Sequence, residues 1–230
     1  MIVVAKTRPD QRAEFIQKTY AHLAAAIGGF IVVEFFLFTT GIAEGFFNLL
    51  IATGMIGGFA LIAIFSLVGW YARELATKTE SINQQYMGLG LYAVAQAVFF
   101  APLLYMAATF YDPTVIPTAG ILTLLLFGGL TLVAFTTKKD FTFLGGILKI
   151  GGFVAIGVII CSAIFGFPLG LLFSSIMVVF ASAAILYDTS KVMRHYRTDQ
   201  YVAASLELFA SVALLFLYIL RIVMALSSRE

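Results

Sequence analysis

Long apolar runs separated by short charged connections constrain this chain more than any other feature. A helix needs ~20 mostly apolar residues to cross ~30 Å of hydrocarbon, so the gaps between charges are the unit of counting. Apolar stretches cover 22–42, 48–70, 87–109, 115–136, 143–164, 169–188 and 202–224. Residues 150–187 carry no charge and are too long for one crossing, and Gly166-Phe167-Pro168 breaks them near the middle. The reading is therefore an all-α polytopic membrane protein with seven transmembrane helices, made of a tail at 1–18, a membrane domain at 19–226 and a short tail at 227–230.

Composition agrees with that count. The 230 residues are 61% hydrophobic and only 11% charged, so too few polar side chains exist to coat a water-soluble surface. The 14 Lys and Arg against 12 Asp and Glu give +2, with the bases in short clusters and not along a stripe. Nucleic acid is excluded as a partner, and the lipid bilayer is the expected one. The single cysteine, Cys161, forms no intrachain disulfide and reads as packing. The connections leave no room for a soluble domain.

Basic residues set the orientation. Lys6, Arg8, Arg12 and Lys18 lie in the first tail. Alternate connections hold Arg73 and Lys78, then Lys138 and Lys139, then Lys191, Arg194 and Arg197, and the other three hold none. This places the N-terminus in the cytoplasm. An odd number of crossings puts the C-terminus outside, unless the seventh helix ends within the interface, which Arg221 and Arg229 would favour. Small residues at Gly28-Gly29, Gly54 with Gly57-Gly58, Gly88 with Gly90, Gly128-Gly129, Gly145-Gly146 and Gly151-Gly152 read as helix contacts. Pro102, inside the third run, predicts a kink.

A bare charge at the bilayer centre costs at least ~2.5–3.5 kcal/mol, so ionisable residues inside the runs are the informative ones. Lys149 can snorkel to the headgroups. Asp188 ends the sixth run and Glu207 lies five to six residues into the seventh, so the two carboxylates are placed to face each other as a proton switch or a cation site. Glu34, near the middle of the first run, is either protonated inside the bundle or lines a wet path. Glu44 and Asp112 read either as an external mouth or as solvated loop acids. His22 and His195 are not spaced as metal ligands, and no catalytic triad, phosphate loop or nicotinamide fingerprint is present. The chain reads as no enzyme, with no cofactor.

Three stretches in order, QAVFFAPLL at 96–104, AFTTKKDFTFLGG at 134–146 and ILYDTSKVM at 185–193, resemble the Bax inhibitor family, also called the TMBIM group, and its bacterial members in particular. The resemblance implies a seven-helix bundle with the last helix central. It implies a pH-sensitive calcium leak channel, calcium being the permeant ion, with two aspartates on the last two helices partnered by an arginine on the second. Asp188 matches the first aspartate. Ser211 falls where the second would be, and Glu207, four residues upstream on the same helix face, is the candidate substitute. The arginine has no match inside 48–70, and Arg73 falls beyond that run. Some bacterial relatives are instead linked to a membrane-bound AAA-type protease, as inhibitor or substrate, for which the 1–18 tail would be a handle. The chain is expected to act as a monomer.

Overall fold

The computed structural model describes residues 3–78, 81–137 and 139–227. Lys138, Arg229 and most of the short tail at 227–230 lie outside the described residues. A single 3-10 turn, Val4–Lys6, precedes seven helices: α1 Pro9–Thr39, α2 Ile42–Thr77, α3 Ile82–Phe110, α4 Val115–Thr136, α5 Leu144–Phe165, α6 Leu171–Arg194 and α7 Tyr201–Ser227. All seven are long and apolar enough to cross a membrane. Large apolar side chains such as Ile56, Phe153 and Leu172 point outward on these helices, as a surface solvated by lipid requires.

Several helices run beyond the apolar stretches, because helix propensity does not stop where hydropathy does. In α1, Pro9 fixes φ at the first helical position, where its missing N–H costs nothing. The DQRAEFIQK segment that follows joins the crossing without a break, so the helix takes in half of the expected 1–18 tail. The described residues before it are anchored. Val4 is fully buried, its N–H donates to the Tyr196 carbonyl at 2.9 Å, and Val3 bridges Arg197 in antiparallel fashion. Similarly, α2 continues through Arg73-Glu74-Leu75-Ala76-Thr77, good helix formers braced by a Glu74 to Lys78 ion pair at 3.8 Å.

The chain forms two compact units, Met1–Phe110 with Val192–Phe209, and Tyr111–Lys191 with Ala210–Glu230. In the first, α2 and α1 pack on α3. Gly88 of α3 sits so close to α2 that a Cβ there would lie 2.5 Å from the Ala72 carbonyl oxygen and 2.6 Å from the Ala76 nitrogen. This is backbone-to-backbone packing of the kind that small residues supply where the hydrophobic effect is absent. In the second unit, Ala155, Met177 and Tyr218 form a core with Phe173 and Phe180, while Gly145 lies against Tyr187 and Gly151 against Phe180. The last helix is, with α3, the most enclosed of the seven.

Two expectations from sequence change here. Gly28, Gly29, Gly58, Gly90, Gly128, Gly129 and Gly146 have no atom within 4 Å of a would-be Cβ, so only some of the small-residue pairs are helix contacts. Helix α3 carries Pro102 in its interior, and Gly54, read from sequence as a helix contact, is instead the non-helical residue of α2, with a φ of 54° and ψ of −131° in a region essentially reserved for glycine.

Candidate functional site

The unit containing α1 to α3 also contains the start of α7, and with it Glu207. Because α2 extends to Thr77, Arg73 lies on the helix and not past it, which corrects the expectation that the second helix lacks a basic residue. Its guanidinium Nε is 3.4 Å from Glu207 Oε1. The same guanidinium sits 5.4 Å from the centre of the Tyr92 ring of α3, and Tyr92 meets Phe209 edge-on at 6.0 Å. A cation over the face of an aromatic ring gains from the ring quadrupole, so Tyr92 holds the arginine from one side while Glu207 holds it from the other. The side chains of Arg73 and Glu207 keep 45% and 31% of their exposure.

Near the same end of these helices, His22 joins α1 to α3 and α7. Its Nδ1 is 2.7 Å from the Lys18 carbonyl, which can only accept, so Nδ1 carries the proton. Its Nε2 lies 3.1 Å from the Tyr86 hydroxyl, which is 3.4 Å from that of Tyr201. His22 also stacks on Tyr86 with ring centres 5.4 Å apart. The role is a structural clasp.

Asp188 belongs to the other unit. Six residues of α6 follow it, and it is buried there, next to the fully buried Thr189 and Ser190. Its Oδ2 accepts a hydrogen bond from the Ser211 hydroxyl of α7 at 2.5 Å. A hydrogen bond to a charged acceptor is roughly twice as strong as a neutral one, so the strength of this contact depends on the charge of Asp188. Ser190 continues the polar cluster: it donates to Asp140 Oδ1 at 3.1 Å and accepts the Phe141 N–H at 3.1 Å. Asp140 and Phe141, before α5, are thus tied to α6 two residues from Asp188.

The sequence placed Asp188 opposite Glu207. The contacts found are different: Asp188 bonds to Ser211, and Glu207 pairs with Arg73. Sequence reasoning missed Arg73, although the charge on a continuing helix-forming segment was the available signal. It also missed the Ser190 to Asp140 tie. Glu34 is buried and lies five residues from the end of α1 at Thr39, about 8 Å along the axis. Glu44 is in the first turn of α2 and not in a loop, where the helix dipole favours a negative charge. Asp112 accepts from the Thr114 hydroxyl at 2.5 Å and from its N–H at 2.8 Å, which holds its carboxyl below the usual carboxylate range.

Among the described residues, no three His, Cys, Asp or Glu side chains converge as a metal site.

Seven membrane-length helices with an arginine–carboxylate pair in one unit and a buried aspartate–serine pair in the other define a polytopic membrane protein with protonatable groups between its helices. Residues 12–229 match the family model described as inhibitor of apoptosis-promoting Bax1. The chain belongs to this Bax inhibitor family. It is similar to protein LIFEGUARD 3 of Arabidopsis thaliana, 27% identical over 95% of this chain and 87% of that protein. It is also similar to Bax inhibitor 1 of Schizosaccharomyces pombe, 28% identical over 99% of this chain and 82% of that protein. An uncharacterized protein of Pseudomonas aeruginosa is 38% identical over 47% of this chain and 49% of its own length, so that match spans about half of each protein.

Proposed function

We propose that this protein is a pH-sensitive leak pathway for calcium in the bacterial inner membrane, acting as a monomer with its N-terminus in the cytoplasm, and a conductor of ions rather than an enzyme. The observation that carries this reading is the Arg73 to Glu207 contact, which joins α2 to α7 through two partly exposed charged groups. While Glu207 is charged, it neutralises Arg73 and holds the two helices together. Protonation removes the attraction, leaves an unbalanced cation between helices, and favours a rearrangement that opens a path. Release is therefore expected to quicken as the medium is acidified.

Glu207 thereby takes over, one turn away, the role of the second acid that the family resemblance places at 211. Ser211 donates its hydroxyl to Asp188 within α6 and α7. The orientation rests on Lys6, Arg8, Arg12 and Lys18 preceding the first crossing. The protease-modulator reading draws less from the geometry, since much of the proposed handle is helical from Pro9 onward and Val4 is buried against Tyr196.

The test is purified protein in liposomes loaded with calcium, with release followed across pH. Faster release at acid pH, with that dependence flattened by Glu207→Gln, supports the proposal. Absence of release at every pH refutes it.

A further inference from the structure

The enclosed face of α1 runs Phe15, Thr19, Leu23, Ala26, Glu34 and Leu37, with half-buried Phe30 completing the series. Steps of three and four residues are those of a single helix stripe. Ile31, Val32, Phe35 and Phe36, which flank it, face outward. At one position of this otherwise largely apolar stripe stands a carboxylic acid. Glu34 is 7% exposed, and neither of its oxygens has a protein hydrogen-bond partner among the described residues.

Its surroundings are apolar above and below. One turn toward the N-terminus, Phe30 meets Phe100 of α3 edge-on at 5.6 Å. One turn the other way, Leu37 packs with Ala97 and Ala101. Between Ile82 and Phe110, α3 has no Asp, Glu, Lys, Arg or His, and its titratable groups are Tyr86, Tyr92 and Tyr105. Helix α2 offers Glu44, Tyr71, Arg73 and Glu74, of which Arg73 is engaged by Glu207 and Glu74 by Lys78. The part of α7 in this unit offers Tyr201 and Glu207. An anion at Glu34 would thus be buried with no cation beside it and no donor on either oxygen, which is the costliest state a carboxyl can take. The neutral acid avoids that cost.

We propose that Glu34 is a proton-binding site of the membrane domain, occupied by its proton and reactive toward lipid-soluble carbodiimides. This site is separate from the Arg73 to Glu207 latch, and its test needs no ion flux. The chemistry is an addition. The acid proton goes to one carbodiimide nitrogen, the carboxyl oxygen bonds to the central carbon, and one C=N bond becomes single. The acyl group then migrates from oxygen to nitrogen, leaving a stable N-acylurea. Nothing leaves and nothing is oxidised, so the mass gain equals one intact reagent molecule.

The experiment treats the full-length protein in liposomes with dicyclohexylcarbodiimide and, in parallel, with a water-soluble carbodiimide, and maps the adducts by peptide mass spectrometry. The site is supported if the apolar reagent modifies Glu34, the water-soluble one does not, Glu34→Asp keeps the adduct and Glu34→Gln loses it. It is overturned if the apolar reagent leaves Glu34 untouched while modifying other acids, or if both reagents modify it equally, which would make the position wet. Infrared difference spectra provide a readout that does not depend on reagent access. A protonated-carboxyl band present in the wild type and missing in a folded Glu34→Gln supports the proposal, and identical spectra for the two overturn it.

Discussion

The Ser211 to Asp188 hydrogen bond permits a prediction in which magnitude reports chemistry. Removing the hydroxyl by Ser211→Ala leaves a buried carboxyl short of one donor. A hydrogen bond to a charged group contributes ~1.5–3 kcal/mol, whereas a neutral one contributes ~0.5–1.5 kcal/mol. Within membrane bundles, measured couplings between helices average only ~0.6 kcal/mol and reach ~1.7. The 2.5 Å separation and the burial of both side chains place this bond among the strong ones. A double-mutant cycle of Ser211→Ala, Asp188→Asn and the combination, measured by reversible unfolding in mixed micelles, should give a coupling of about 1.5 kcal/mol at neutral pH, roughly tenfold in the folding constant. On acidification the coupling should fall toward the neutral range of ~0.5–1.5 kcal/mol as Asp188 takes up a proton. A coupling near zero at neutral pH would mean that the hydroxyl and the carboxylate do not interact. One that ignores pH would mean that Asp188 keeps the same charge throughout.

Other outcomes follow from the same geometry. The Arg73 to Glu207 pair is 45% and 31% exposed, so Glu207→Gln should cost only ~0.2–1 kcal/mol of stability while flattening the pH profile of calcium release; a large stability loss with an unchanged profile would make the pair structural. Gly88→Ala places a Cβ 2.5 Å from a backbone oxygen of α2, so it should destabilise by ~1–3 kcal/mol in thermal unfolding, and an unchanged midpoint would refute the close approach. Asp112, with its pKa lowered chiefly by the Thr114 hydroxyl, contributes stability above the usual carboxylate pKa and loses it as pH falls through the lowered value. Thr114→Val should move its titration, followed by NMR, back up toward the ordinary value.

The seven crossings were legible because a bilayer sets a length that apolar runs must meet, and those runs are separated by charges or by Gly166-Phe167-Pro168. Helix ends were not legible in the same way. Hydropathy marks where lipid stops, but Arg73 to Thr77 and Pro9 to Lys18 are helical for local reasons, and so Arg73 was placed outside the helix that carries it. The acids themselves were visible as charges in apolar sequence, whereas their partners were not: a serine at 211 is chemically silent in sequence until a carboxylate is found against it. Gly88 could not be told from Gly90 by pattern, since only the position of α2 distinguishes them.

The central claim is that protonation at the α2 to α7 contact governs passage of calcium. The measurement that reaches it most directly is the initial rate of calcium release from proteoliposomes across pH, for wild type beside Glu207→Gln. The account predicts a wild-type rate that rises on acidification and a variant rate that is already raised at neutral pH and nearly level across the range. Wild-type vesicles that hold calcium at all pH values, or a variant whose profile overlays the wild type, would contradict it.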